Sequence, residues 1–487
     1  MVHTARDWLR QRPNQIWAAI VGLYLVGRIV LIAGGHIFTS YDAFTYRPNA
    51  GTVDDGLLSF AGHSPRPWGL PLFYAPFGND TARTVGQWAV GTVAWAFFAW
   101  EVGRHLRTRL ARQVTVAAIL LLALTPTVAS WDLAILTESL SISFGVLGLG
   151  LLLHWLRTGR VAALAGLAIV ALWWTFLRPD IRVFTAVLIG VLVLVAARAL
   201  WRARAGAGPG AGGTIRTLVC ALAAAVVLGS GILWYAAITP ALEQAGTRYD
   251  ADAIVPPMKQ DEHRLVYRLR VEVSLNPELW TAFTEDLGMP TCPEIEEFRR
   301  THSLWDGREW AYAYKRCAPL VEWVNERKNQ YFWTELAKAD PGLFAKVFLD
   351  ELSLTLGGEA YAPVPRIVPP VEELAFPSRR YGLPIALAGF ALSLGLALWL
   401  RVARGSTGAR RLFWFGIVVF ATALLSCLST IMLVTGELQR FGVQEAIATR
   451  LAMIALLAAS LDAWLHRRRG AVSPTAAATP GQAPADA

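Results

Sequence analysis

The sequence predicts an all-α polytopic membrane protein, with about ten transmembrane helices and a mainly helical extracytoplasmic domain. Three observations predict it. Hydrophobic residues make up 54% of the 487, and the mean hydropathy is +0.40, which is rare in a soluble domain. Apolar runs of roughly twenty residues recur along the chain, each long enough to cross ~30 Å of hydrocarbon as a helix. Every second connection between them is rich in arginine, the pattern of loops held on the cytoplasmic side.

The runs cover 16–34, 84–103, 114–130, 133–154, 161–178, 182–200, 217–238, 382–400, 412–434 and 447–465. No Ala-x-Ala-like cleavage site follows the first, so it is read as a retained helix and not a removed signal peptide. Arg6, Arg10 and Arg12 precede it. Ten spans from an inside start place 103–112, 157–160, 202–216, 401–411 and the tail at 466–470 in the cytoplasm, and each is basic. Both termini are therefore expected in the cytoplasm. The net charge of +9 is a topology signal, and no nucleic-acid partner is expected.

Four parts follow: a membrane domain at 1–238 with a first outer loop at 35–83, an extracytoplasmic domain at 239–380, C-terminal transmembrane helices at 381–465, and a disordered cytoplasmic tail at 466–487. The segment 239–380 holds 17 basic and 23 acidic residues, a net −6, whereas the remainder holds 28 and 13, a net +15. Its pieces "PELWTAFTEDLG" and "LVEWVNERKNQYFWTELAKADPGLFAKVFLDEL" have helical periodicity, with Pro341 suited to a first turn. Cys292 and Cys317 share this outer segment, where an oxidising compartment favours a disulfide. Cys220 and Cys427 lie in apolar spans and read as packing residues.

The chemistry-bearing residues collect at the outer ends of spans. Asp42 follows the first span, with Tyr41, Tyr46 and Arg47 close in sequence. Asp132 separates the third and fourth spans, and Glu138 is expected about one turn into the fourth. Arg178, Asp180 and Arg182 lie between the fifth and sixth, and Glu437 and Arg440 between the ninth and tenth. A site at that level would be lined by carboxylates and arginines from distant parts of the chain. The structural alternative is that Asp132 and Asp180 cap helices and that Arg178 and Arg182 pair with Asp180 or with lipid phosphates. Glu138 resists that reading, because a carboxylate in an apolar span usually has a partner and a role. There is no P-loop, no Cys/His zinc spacing and no Gly-x-Ser-x-Gly, so no motif points to a metal or names a cofactor.

The order of these pieces resembles the integral-membrane glycosyltransferases of the GT-C fold, in particular the polyprenyl-phosphate-sugar-dependent branch related to protein mannosyltransferases and aminoarabinose transferases. The likeness lies in "SYDAFTY" after the first span, "SPRPWGLPLF" with Arg66 before the second, "LTESLSIS" with Thr137 and Glu138, "LRPD" with Arg178, and "GELQRF" from Gly436 to Phe441. Where many relatives carry an Asp-Glu pair after the first span, Asp42 is followed here by Ala43.

The resemblance implies transfer of a sugar from a polyprenyl-phosphate lipid to an unidentified extracytoplasmic acceptor. On that reading Asp42 is the catalytic base, and Arg66, Asp132, Glu138, Arg178, Asp180, Glu437 and Arg440 bind substrate. A transporter or flippase of lipid-linked material is the alternative, as is a non-catalytic membrane protein whose outer domain binds a partner. Charges concentrated at one face, and not spread through the midplane, favour the enzyme. The Ala-, Arg- and Trp-rich composition fits a bacterial inner membrane, whose lipids are the remaining expected partners.

The topology is directly testable. Single cysteines at Ser303 and Ser406 should react with an impermeant reagent from opposite sides, Ser303 from outside only. Outside labelling at 406 would overturn the ten-span arrangement.

Overall fold

The computed structural model describes residues 12–39, 43, 46, 67–204, 211–253, 265–301, 307–327, 332–433 and 438–471. It is helical throughout. Among the described residues the one extended pairing is an isolated bridge between Phe38 and Ala134. The long helices are α1 (Arg12–Ala33), α2 (Asp80–Arg104), α3 (Arg109–Leu122), α4 (Glu138–Thr158), α5 (Val161–Thr175), α6 (Arg182–Arg204), α7 (Ala211–Ala253), α8 (Pro341–Gly357), α9 (Gly382–Trp399), α10 (Thr407–Leu433) and α11 (Val443–Ala471).

Among the described residues, seven helices are long and apolar enough to cross a membrane: α1, α4, α6, α7, α9, α10 and α11. Seven of the ten apolar runs thus form such helices, and an eighth is added if the bent pair Arg109–Leu122 and Pro126–Leu133 is one span. The α2 helix is long but less apolar, with Gln87 and Glu101 among its buried residues. The α5 helix has only 15 residues. The expected third run breaks at Pro126. There α3 has ended, and a short helix, Pro126–Ala129, leads into a 3-10 turn, Ser130–Leu133, bent 59° from α3. Proline suits that first turn, where its missing N–H leaves no helical bond unmade.

This break corrects the position of Glu138. It is the first residue of α4, with Thr137 as the cap position, and not a residue one turn inside a span that starts at 133. A carboxylate is favourable there, against the positive end of the helix dipole.

The hub of the bundle is α11. Its span is 72% buried, against 22% for α9, so α9 is peripheral while α11 packs on α3, α4, α8, α9 and α10. Arg450 on α11 donates to the Leu356 and Ala375 carbonyls at 2.9 and 2.8 Å, tying α11 to the end of α8 and to the short helix Pro369–Ala375. Gly442, just before α11, permits this closeness. A Cβ there would lie 2.5 Å from the Thr355 carbonyl oxygen, so only glycine lets α8 pass over the start of α11.

The described residues between 265 and 339 form short helices, among them Pro277–Thr281, Pro293–Thr301, Ala318–Arg327 and Phe332–Ala339. Cys292 and Cys317 are joined in a disulfide with Cα atoms 5.8 Å apart. Cys427 is buried in α10 and Cys220 half-buried in α7, both unpaired. Asp340 caps α8 by accepting from the Gly342 and Leu343 amides, each at 2.9 Å, with Pro341 in the first turn. Further along α8, Glu351 is buried close to the Arg268–Glu272 ion pair, whose charges are 3.0 Å apart. Burial, with Glu272 adding to it, pushes the Glu351 carboxyl up to about 9.

The folded protein therefore keeps the Glu351 proton at neutral pH, whereas the unfolded chain releases it in the ordinary carboxylate range. That contribution to stability is complete at low pH and drains away as pH rises toward about 9. Glu351→Gln should match the parent's thermal unfolding near pH 5 and exceed it increasingly above, by more than about 1.4 kcal/mol (one pKa unit) by pH 9. A pH-independent difference between the two would contradict the assignment.

Candidate functional site

One turn of α4, the turn before α6 and the entry to α11 converge on a single buried carboxylate. Glu138 is 0% exposed. It accepts from Arg440 Nε at 2.6 Å and lies 3.3 Å from Arg178 Nη1. Arg178 sits in the connection from α5 to α6 and grips Asp180 with its planar fork, Nε to Oδ1 at 3.0 Å and Nη2 to Oδ2 at 2.8 Å. Its Nη2 also donates to the Phe441 carbonyl at 3.1 Å. The Phe441 ring takes both guanidiniums, with Arg178 at 4.9 Å and Arg440 at 5.4 Å from its centroid. Burial alone would lower the Arg178 pKa, but the Asp180 and Glu138 carboxylates raise it on balance. Arg178, 2% exposed, is thus held as a cation.

Two residues that sequence reasoning passed over complete the cluster. Glu445 is fully buried on α11, accepts from Ser426 Oγ at 2.5 Å and lies in the field of Arg178 and Asp180. Gln444 accepts from Ser141 Oγ at 2.6 Å, and Trp174 Nε1 donates to the same hydroxyl at 2.8 Å. The Gln444 amide nitrogen is buried and has no hydrogen-bond partner among the described residues. The signal was available: like Glu138, both are polar side chains at the mouth of an apolar run.

Asp132 belongs to a separate pair. It accepts from Arg28 Nη2 at 2.5 Å and from Ser139 Oγ at 2.7 Å. Arg28, the one charge inside the first apolar run, also donates to Thr92 Oγ1 at 3.1 Å. Asp132 and Arg28 therefore brace α1 against α2 and α4, and neither Asp132 nor Asp180 caps a helix. Asp42, Arg66 and Glu437 lie outside the described residues. Ala43 and Tyr46, beside Asp42 in sequence, are buried in the main core. Burial first, then Tyr46 and Glu138, raise the Tyr74 phenol well above its ordinary value, which sets Tyr74 close to the cluster. The short helix that carries it, Gly69–Tyr74, is pinned at Gly69, whose amide donates to the Phe176 carbonyl at 3.1 Å and whose carbonyl accepts from Trp173 Nε1 at 2.8 Å.

A cavity of about 790 Å³ opens beneath the cluster, within the roughly 300–1,000 Å³ typical of ligand sites. Ser141, Thr185 and Gln444 line it at the Glu138 end. Below them its walls are apolar, including Ile142, Leu149, Leu152, Val187, Val191 and Val418. Ser141 and Leu156 both line it, so it extends about 22 Å along α4 at the usual helical rise. A long apolar channel with paired arginines above one end suits an amphipathic molecule with an anionic head. Among the described residues no group of three or more His, Cys, Asp or Glu is placed to hold a metal ion.

The chain matches no protein-family model, no curated protein and no solved structure. The site's chemistry thus rests on its own geometry.

The Arg28–Asp132 brace makes its own prediction. Asp132→Asn leaves a buried guanidinium without its counter-charge and should cost about 3–5 kcal/mol in unfolding free energy. Arg28→Met together with Asp132→Asn should recover part of that loss. Equal stability of the single variant and the parent would show the pair to be dispensable.

Proposed function

We propose that the protein is a membrane glycosyltransferase that moves a sugar from a polyprenyl-phosphate donor to an acceptor on the extracytoplasmic side of a bacterial inner membrane. The observation that carries this reading is the placement of Arg178 and Arg440, both locked on Glu138, above the polar end of the apolar cavity. Such a donor presents a prenyl chain to the cavity and a phosphate to the arginines. Arginine suits that phosphate because its planar fork can engage two oxygens.

In the reaction Asp42 takes the proton of the acceptor hydroxyl. The hydroxyl oxygen bonds to the anomeric carbon as the bond from that carbon to the phosphate oxygen breaks. The electron pair leaves with polyprenyl phosphate, and the configuration inverts. Preorganised cations stabilise the charge that develops on the leaving group, usually the largest single contribution to such catalysis. Glu138 and Asp180 keep the two guanidiniums in place while that charge grows. Glu445, buried beside them, is a further carboxylate through which a proton could pass.

The length of the cavity also fits a flippase for lipid-linked material, and one assay separates the readings. Purified protein given a sugar-loaded polyprenyl phosphate should release polyprenyl phosphate, with the sugar on an added acceptor. Asp42→Asn should lower turnover by about 10²–10⁴ while donor binding survives. Arg440→Lys keeps the charge but loses the fork, so donor affinity and turnover should both fall. Donor movement between leaflets without release of polyprenyl phosphate would favour the flippase, and full activity of Asp42→Asn would remove Asp42 from the chemistry.

A further inference from the structure

The other end of the cavity carries a different chemistry. Arg198 on α6 and Arg410 and Arg411 on α10 line it, some 20 Å from the Glu138 cluster by the rise of α6 between Thr185 and Arg198. Among the described residues none of the three has an acidic partner. Close by, Arg157 at the end of α4 is taken up by Glu101, its Nη2 3.0 Å from both carboxylate oxygens. Glu101 also accepts from His154, Nδ1 to Oε1 at 2.9 Å, so its capacity is spent locally. Arg157 and Arg410 both lie close enough to Arg411 to repel it. Three arginines thus line the mouth of an apolar channel with no anion supplied by the described residues. Like charges so arranged are stable when an outside anion joins them.

The geometry points to a second lipid site here: we propose that Arg198, Arg410 and Arg411 hold the headgroup of an anionic phospholipid whose acyl chain enters the adjacent half of the cavity. Charge complementarity selects the occupant. A zwitterionic headgroup brings a compensating cation to a site that already has an excess of them, whereas phosphatidylglycerol brings net negative charge. Basic pockets between membrane helices bind anionic headgroups on the same physical ground. The apolar walls, Leu152, Leu156 and Val195 among them, supply what free phosphate could not use. The inference does not depend on the reaction proposed above, because none of these residues touches the Glu138 cluster.

The test uses the full chain in detergent, with thermal unfolding and native mass spectrometry as readouts. Dioleoyl-phosphatidylglycerol should raise the unfolding midpoint saturably and remain bound in the mass spectrum, while dioleoyl-phosphatidylcholine and inorganic phosphate should not. Arg410→Gln, at an exposed position, should weaken phosphatidylglycerol about fivefold, and the triple change Arg198→Gln, Arg410→Gln, Arg411→Gln about 100-fold. Leu149→Trp, which fills the channel and leaves the arginines intact, should also weaken it. Equal effects of the two lipids, or a triple variant that binds like the parent, would overturn the site. An equal midpoint rise with inorganic phosphate, or full binding by Leu149→Trp, would overturn the placement of a lipid chain in the cavity.

Discussion

The structure depends on the sharing of one buried carboxylate by two guanidiniums. Glu138 has no access to water, so its charge must be met by the protein. The groups that meet it, Arg178 and Arg440, come from positions far apart in the chain. Satisfying Glu138 therefore fixes how the start of α4, the turn before α6 and the entry to α11 meet. Buried ion pairs are weak sources of net stability, because desolvation offsets most of the attraction. Their value here is geometric: two guanidiniums are held on one carboxylate, each also near the Phe441 ring, with Asp180 fixing the fork of Arg178.

That arrangement gains its meaning from what lies beside it. The same helices that carry the cluster wall the apolar cavity, so a charged head and an apolar tail can be bound as one ligand. Gly442 is the local device that makes this possible, because it lets the α11 entry approach α8 closely enough to bring Arg440 onto Glu138. The described residues at the opposite end of the cavity include Arg198, Arg410 and Arg411 and no carboxylate. Among the described residues the cavity thus has paired charges near one end and arginines without an acidic partner at the other.

Much of this was legible in the residues. Long apolar runs gave the helices, and a carboxylate at the mouth of one of them gave Glu138. Arg178, Asp180 and Arg440 were singled out as polar residues at span ends, and the structure brings them together. Asp132 looked the same by that criterion, yet its partner is Arg28, an arginine that the apolar run around it made easy to pass over. Pairing is a tertiary property, and charge position along the chain does not report it. Pro126 was a visible breaker inside a run taken as continuous, which displaced the start of α4. Glu445 and Gln444 went unnoticed because their run was placed to begin after them, although burial and hydrogen bonding put both at the cluster.

The central claim is that the cluster and the cavity form one site for a lipid phosphate. The direct measurement is photocrosslinking of the purified protein with polyprenyl phosphate carrying a photoreactive group near the head of its chain, mapped by mass spectrometry. Crosslinks should fall on Phe184, Val187 and Ile447, which line the cavity near the Glu138 end, and should diminish in Arg440→Gln. Crosslinks confined to peripheral helices such as α1 and α9, and unchanged in Arg440→Gln, would contradict it.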